Sequence, residues 1–94
     1  MKYVAVISMT TLRFSVWAMD RADEAFLKGL NVVRLASPQI EIDGTRYVCV
    51  TNARSLRGRR WDDIIFLEDW DACLSIPDAR YILDTAAAHS RTKN

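Results

Sequence analysis

A chain of 94 residues with a formal net charge of +1 sets the first limits on this protein. Half of its residues are hydrophobic and 27% are charged, which is typical of a globular domain and argues against a disordered chain. The large basic excess of many nucleic-acid binders is missing, and no apolar run reaches the roughly 18 residues of a membrane span. We therefore expect one domain over residues 1–94, located in the cytoplasm.

The first third of the chain predicts a strand and a helix. Residues 3–8 (YVAVIS) form a short apolar run rich in β-branched residues, which indicates a strand covered on both faces. Thr10 or Thr11 can cap a helix from about residue 12 to residue 28, and Gly29 is a natural stop. Apolar residues at three- and four-residue steps predict its buried face: Leu12, Val16, Met19, Ala22, Phe26 and Leu30.

The middle of the chain predicts a hairpin. Residues 31–36 are a second short strand candidate, which Ser37-Pro38 ends. Asp43-Gly44 separates the alternating runs 39–43 and 45–51, a strong signal for a tight β-hairpin. Asn52 can then cap a short helix over residues 53–56, which Gly58 ends.

The last third predicts a strand and a helix. Residues 63–69 (DIIFLED) indicate a central strand, and Ser75 begins a helix whose apolar face is Ala79, Ile82, Leu83 and Ala86. Residues 90–94 are a polar tail. The whole order predicts an α/β fold, a small layered and partly parallel sheet with an inserted β-hairpin and two main helices.

A charge boundary is the most unusual local feature. Residues 45–61 contain five arginines and no acid, whereas residues 62–71 contain five acids and no base. Guanidinium groups around the Gly58 turn could bind phosphates through paired hydrogen bonds, and the neighbouring indole could stack on a base. The candidate residues for binding a partner or a nucleic acid are therefore Arg54, Arg57, Arg59, Arg60 and Trp61. Alternatively, these arginines pair with the neighbouring acids, with Trp61 at the core edge, or they contact a protein.

The acidic block offers a second candidate site. Glu68 and Asp69 follow a hydrophobic strand, and α/β proteins often place function at the carboxyl ends of strands. With Asp62 or Asp71 they could bind magnesium, although a solvated strand end is the simpler explanation. No complete catalytic motif is present, because His89 is the sole histidine and the three glycines form no phosphate loop. Cys49 and Cys73 have no metal-binding spacing and are expected to be reduced thiols.

Residues 40–70 resemble part of a known family. The run TNARSLRGRRWDD followed by IIFLED is similar to the stretch that leads into the Walker B motif of P-loop ATPases, such as phage terminases and helicases. The resemblance implies that Glu68 and Asp69, in reversed order, match the acids that bind magnesium and activate water. Met9-Thr10-Thr11 stands where that family has its glycine-rich Walker A loop and lysine, so the resemblance implies a reduced domain without nucleotide hydrolysis, of bacteriophage origin.

Three hypotheses follow from the sequence. The leading one is a non-enzymatic binding or accessory protein without a cofactor, which engages a protein or nucleic-acid partner through its arginine-rich turn. Such a protein could also form a homo-oligomer, with the arginine turn of one copy on the acidic strand end of another. The alternative is a metal-dependent phosphoryl-transfer or nuclease-like enzyme that uses magnesium at the strand-end carboxylates. The third is a structural role in an assembly, with Trp17 or Trp70 at the interface.

Overall fold

The computed structural model describes residues 1–34, 38–57 and 59–93. The elements in this part of the chain, in order, are β1 (Lys2–Ile7), α1 (Thr11–Leu27), β2 (Val32–Arg34), β3 (Gln39–Ile42), β4 (Thr45–Val50), α2 (Ala53–Leu56), β5 (Asp63–Phe66) and α3 (Ile76–Lys93). Residues 35–37, where the second strand was predicted to end, and Gly58, predicted to end the short helix, lie outside the described residues.

The five strands form one mixed sheet in the order β2-β3-β4-β1-β5. β1 pairs in parallel with both β4 and β5, whereas β3 pairs antiparallel with β2 and β4. The predicted partly parallel α/β fold is confirmed, and the hairpin β3–β4 belongs to the main sheet. The prediction of a central strand over residues 63–69 is wrong, because β5 ends at Phe66 and pairs with β1 alone at the sheet edge.

Alternation along β1 divides the core between the two faces of the sheet. Val4 and Val6 pack in one hydrophobic cluster with Phe14 and Ala18 of α1. Ala5 and Ile7 pack in a second cluster that contains Leu56 and Trp61 from the α2 region and Ile82 of α3. Residues Val4 to Ser8 are all buried, so β1 is the doubly covered strand that its apolar run predicts.

Local sequence signals explain where the elements begin and end. The Arg13 amide donates to Thr10 Oγ1 at 3.1 Å and the Ser55 amide donates to Asn52 Oδ1 at 2.8 Å, so both predicted N-caps are confirmed. Asp43 and Gly44 have φ angles of 50° and 81°, as the two central residues of a type I′ hairpin turn require. Gly29, with φ 76°, ends α1 as predicted.

Two predicted helix faces differ from the structure. The α1 residues that face the sheet are Phe14, Ala18, Ala22 and Ala25, so only Ala22 of the predicted face is buried. The three- and four-residue periodicity fits two different faces of this helix. The face with the larger side chains was predicted to be buried, whereas the face with Phe14 and the three alanines packs on the sheet. On α3, Ile82 is fully buried but Leu83 is 52% exposed, and the helix continues through the predicted tail to Lys93.

Candidate functional site

Trp61 anchors the arginine-rich turn to the protein core. Its indole is only 9% exposed, and Nε1 donates to the Leu56 carbonyl oxygen at 2.9 Å across the end of α2. A buried indole with a satisfied N–H has little of its face available to a base, so base stacking by Trp61 stays a prediction that its burial does not favour. Trp61 lies at the edge of the core, as the alternative interpretation of the sequence has it, and its hydrogen bond holds the turn against α2.

The arginines of the turn lie over aromatic rings. The Arg59 guanidinium carbon is 4.7 Å from the centroid of Tyr3 and 5.5 Å from that of Trp61. The Arg57 guanidinium carbon is 4.7 Å from the centroid of Tyr81 on α3. A guanidinium group that stacks on a ring makes this contact through its planar face. The N–H donors at the edge of the guanidinium group therefore stay available to an anion.

Among the described residues, the neighbouring acidic block forms no ion pair with these arginines. The ion pairs among the described residues join Arg21 and Lys28 to Glu24 and Arg46 to Glu41. None includes Arg54, Arg57, Arg59 or Arg60. The alternative that the arginine block pairs with its own acids is therefore wrong within the part of the chain that the structure describes.

A groove of about 780 Å³ opens between this turn and α3, at the amino ends of β1 and β5. Its lining includes four cationic side chains, Lys2, Arg57, Arg59 and Arg60, and two carboxylates, Asp62 and Asp63. We call this depression the basic groove. His89 also lines it, near the end of α3.

The two carboxylates of the basic groove have structural partners. Asp62 Oδ2 accepts a hydrogen bond of 2.8 Å from the Tyr3 amide, and the Asp62 amide donates to the Tyr3 carbonyl at 2.8 Å. Asp63 Oδ1 accepts from the Ile64 amide at 2.9 Å. The two Tyr3–Asp62 bonds tie the turn to the start of β1, so Asp62 helps to hold the groove in shape while the cations outnumber the carboxylates.

Arg54 stands apart from the other three arginines. It lies on α2 and lines a smaller cavity of about 390 Å³ together with Asn52, Ala53, Arg57 and Asp78. Only Arg57 lines both depressions. The structure thus brings Arg57, Arg59 and Arg60 together, and it places Arg54 outside the basic groove.

Lys2 and Tyr81 line the groove and Tyr3 supports Arg59 beside it, and the sequence singled out none of the three. They come from β1 and α3, far along the chain from the arginine block. The proximity of Lys2 and Tyr3 depends on the parallel pairing of β1 with β5, which aligns Val4 with Asp63, whereas that of Tyr81 depends on the packing of α3. Strand order could not be deduced from the sequence, so no local signal identified these three residues.

The strand-end carboxylates Glu68 and Asp69 are separated from Asp62. Glu68 and Asp69 are exposed in the turn after β5, where Asp69 has a φ of 57°. Asp62 precedes β5, so it lies at the opposite end of that strand, roughly 15 Å away at the usual rise per residue. It therefore cannot join Glu68 and Asp69 around one ion, and the described residues contain no group of three or more His, Cys, Asp or Glu side chains placed to hold a metal. Magnesium binding by Glu68 and Asp69 stays a prediction.

Comparison with known proteins gave no match to a family model, a curated protein or a solved structure. The described residues also contain no helix that is long and apolar enough to cross a membrane. The functional argument for this chain therefore depends on the geometry of its own surface.

Proposed function

We propose that this protein is a non-enzymatic binding module that engages the phosphate backbone of a nucleic acid through its basic groove. The observation that carries the proposal is the position of Arg57 and Arg59, which lie over Tyr81 and Tyr3 without an acidic partner among the described residues. An arginine supported in this way is ordered before binding, so less side-chain entropy is lost when it contacts a phosphate.

The chemistry of the groove suits the phosphate oxygens of a nucleic-acid backbone. Guanidinium groups contact phosphate through paired N–H donors, and three of them line one depression. Because Trp61 is buried, we expect little base stacking at this residue and correspondingly weak sequence preference.

The proposal is tested by fluorescence anisotropy with labelled single- and double-stranded DNA and RNA. The test variant is Arg57→Glu combined with Arg60→Glu, which reverses two charges in the groove without touching the core. The control is Arg80→Glu, an exposed arginine on α3 that does not line the groove. Loss of binding in the test variant alone supports the proposal.

A protein partner is the competing outcome of the same experiment. Polyglutamate serves as the competitor that carries charge without phosphate. If polyglutamate displaces the wild-type protein from nucleic acid at an equal concentration of negative charge, the groove recognises acidity in general and an acidic protein becomes the better partner. If nucleic acid is retained, phosphate geometry decides the binding.

A further inference from the structure

α1 carries two apolar stripes, and only one of them faces the sheet. Successive residues of a helix are rotated by 100°, so positions 12, 16, 19, 26 and 27 are centred roughly 130° around the helix from positions 14, 18, 22 and 25. The first of these two sets points to solvent, and its members Leu12, Val16, Met19, Phe26 and Leu27 are 56–86% exposed. We call these five residues the outer stripe of α1.

An outer stripe of this kind is unusual for a surface helix. A helix that covers one face of a sheet normally has a polar outer side, and contiguous exposed apolar side chains mark an interaction surface. The stripe continues into an adjoining depression of about 510 Å³ in which Leu12, Val16 and Trp17 of α1 meet Leu67 after β5. Arg13, Asp20 and Glu68 form the polar part of its lining.

The charges on the outer side of α1 are divided along the helix. Arg13 lies in the first turn, where the partial positive charge of the helix N-terminus disfavours a cation, and the first turn has no acid. Asp20 and Asp23 follow in the second half of the helix. None of these three side chains has an ion-pair partner among the described residues, whereas Glu24 is already held by Lys28 and Arg21.

We propose that the outer stripe of α1 binds the same stripe of a second copy of this chain, with the two helices antiparallel. This arrangement places Arg13 of each copy beside the acidic half of the partner helix and opposes the two helix dipoles. A single two-fold axis provides both charge contacts, as a self-complementary interface requires. The charge pattern is complementary to itself only in this direction, which is why we assign a second copy rather than an unrelated partner.

The area of the stripe is adequate for such a dimer. At the observed exposures, five side chains of this size offer on the order of 100 Å² each, so a symmetric pair buries roughly 1,000 Å² in total. That area is at the lower end of the range for specific interfaces, and we expect dissociation in the micromolar range. The basic groove lies at the amino ends of β1 and β5, beside α3, and no residue of α1 lines it, so both grooves stay open in this dimer.

Sedimentation velocity over a protein concentration series tests the proposal. We expect a dimer at tens of micromolar for the wild type, and a dissociation constant at least about tenfold weaker for Met19→Lys. Leu83→Lys, which places the same charge on an exposed apolar position of α3, is the matched control and should leave the dimer intact. Circular dichroism verifies that each variant is folded.

A charge exchange tests the antiparallel direction. Arg13→Glu and Asp23→Arg should each weaken the dimer, and the double variant should restore most of the affinity because the contact is remade with reversed signs. Both residues are exposed, so these variants avoid the core. A wild-type chain that stays monomeric at several hundred micromolar overturns the proposal, as does a dimer that Met19→Lys leaves unchanged or a double variant that is weaker than either single one.

Discussion

The Arg59 guanidinium lies over the ring of Tyr3, with 4.7 Å between its central carbon and the ring centroid. This contact joins the arginine-rich turn to the first strand, which is more than fifty residues away in the chain. The reciprocal hydrogen bonds between Tyr3 and Asp62 fix the same junction. One aromatic residue therefore positions a cation of the basic groove without contributing charge of its own.

Replacing Tyr3 by leucine should weaken nucleic-acid binding. The ring that supports Arg59 is lost while the charge of the groove is unchanged, and a cation–π contact at a partly exposed site is worth about 0.5–1 kcal/mol. We expect affinity to fall roughly two- to fivefold by anisotropy. Tyr3→Phe keeps the ring and should bind like the wild type, so equal affinities for the leucine and phenylalanine variants would contradict a supporting role.

Replacing Trp61 by phenylalanine should lower stability more than binding. The substitution removes the hydrogen bond to the Leu56 carbonyl and leaves part of a buried site unfilled, which costs about 1–3 kcal/mol of the free energy of unfolding. Urea denaturation measures this loss, and anisotropy at a temperature where the variant is folded measures binding. A large loss of affinity with unchanged stability would contradict this prediction and would indicate that Trp61 contacts the nucleic acid directly.

Cys49 should make the protein less stable at alkaline pH. Burial raises the pKa of its thiol from 9.0 to about 11, because the thiolate is poorly solvated in the core. Between these values the unfolded chain loses the proton while the folded chain keeps it. This contribution to the free energy of unfolding is therefore complete below pH 9 and lost as pH rises toward 11.

The measurement is urea denaturation at several pH values between 8 and 11 for the wild type and Cys49→Ala. Other groups titrate in both proteins, so the difference between the two curves isolates Cys49, with a maximum of roughly 2–3 kcal/mol. Curves that fall in parallel would refute the assignment. A thiol reagent at neutral pH provides a simpler check, since the exposed Cys73 should react quickly and the buried Cys49 slowly.

Local signals in the sequence predicted the elements of this fold well. Thr10, Asn52 and the Asp43-Gly44 pair each act within a few residues, and each has the structural role that its chemistry indicates. The continuous apolar run of β1 also identified the doubly covered strand. These inferences succeeded because the relevant contacts are close in sequence.

Inferences that depend on long-range packing were less reliable. α1 has apolar residues on two sides, and periodicity cannot tell which of them meets the sheet, so small buried alanines were passed over in favour of large exposed side chains such as Phe26. Trp61 looked like a binding residue because of its arginine neighbours, yet its burial depends on α2 and α3. The strand order that brings Lys2 and Tyr3 to the arginine turn has no local signature at all.

The salt dependence of nucleic-acid binding, compared between the wild type and the Arg57→Glu, Arg60→Glu variant, tests the central claim most directly. Because each phosphate contact releases a counterion, we predict that the wild-type affinity falls steeply with salt, with a logarithmic slope of about −2 to −4, and that the variant loses about 2 from that slope. An absence of wild-type binding at low salt, or an identical affinity and slope in the folded variant, would contradict the proposal that the basic groove binds phosphate.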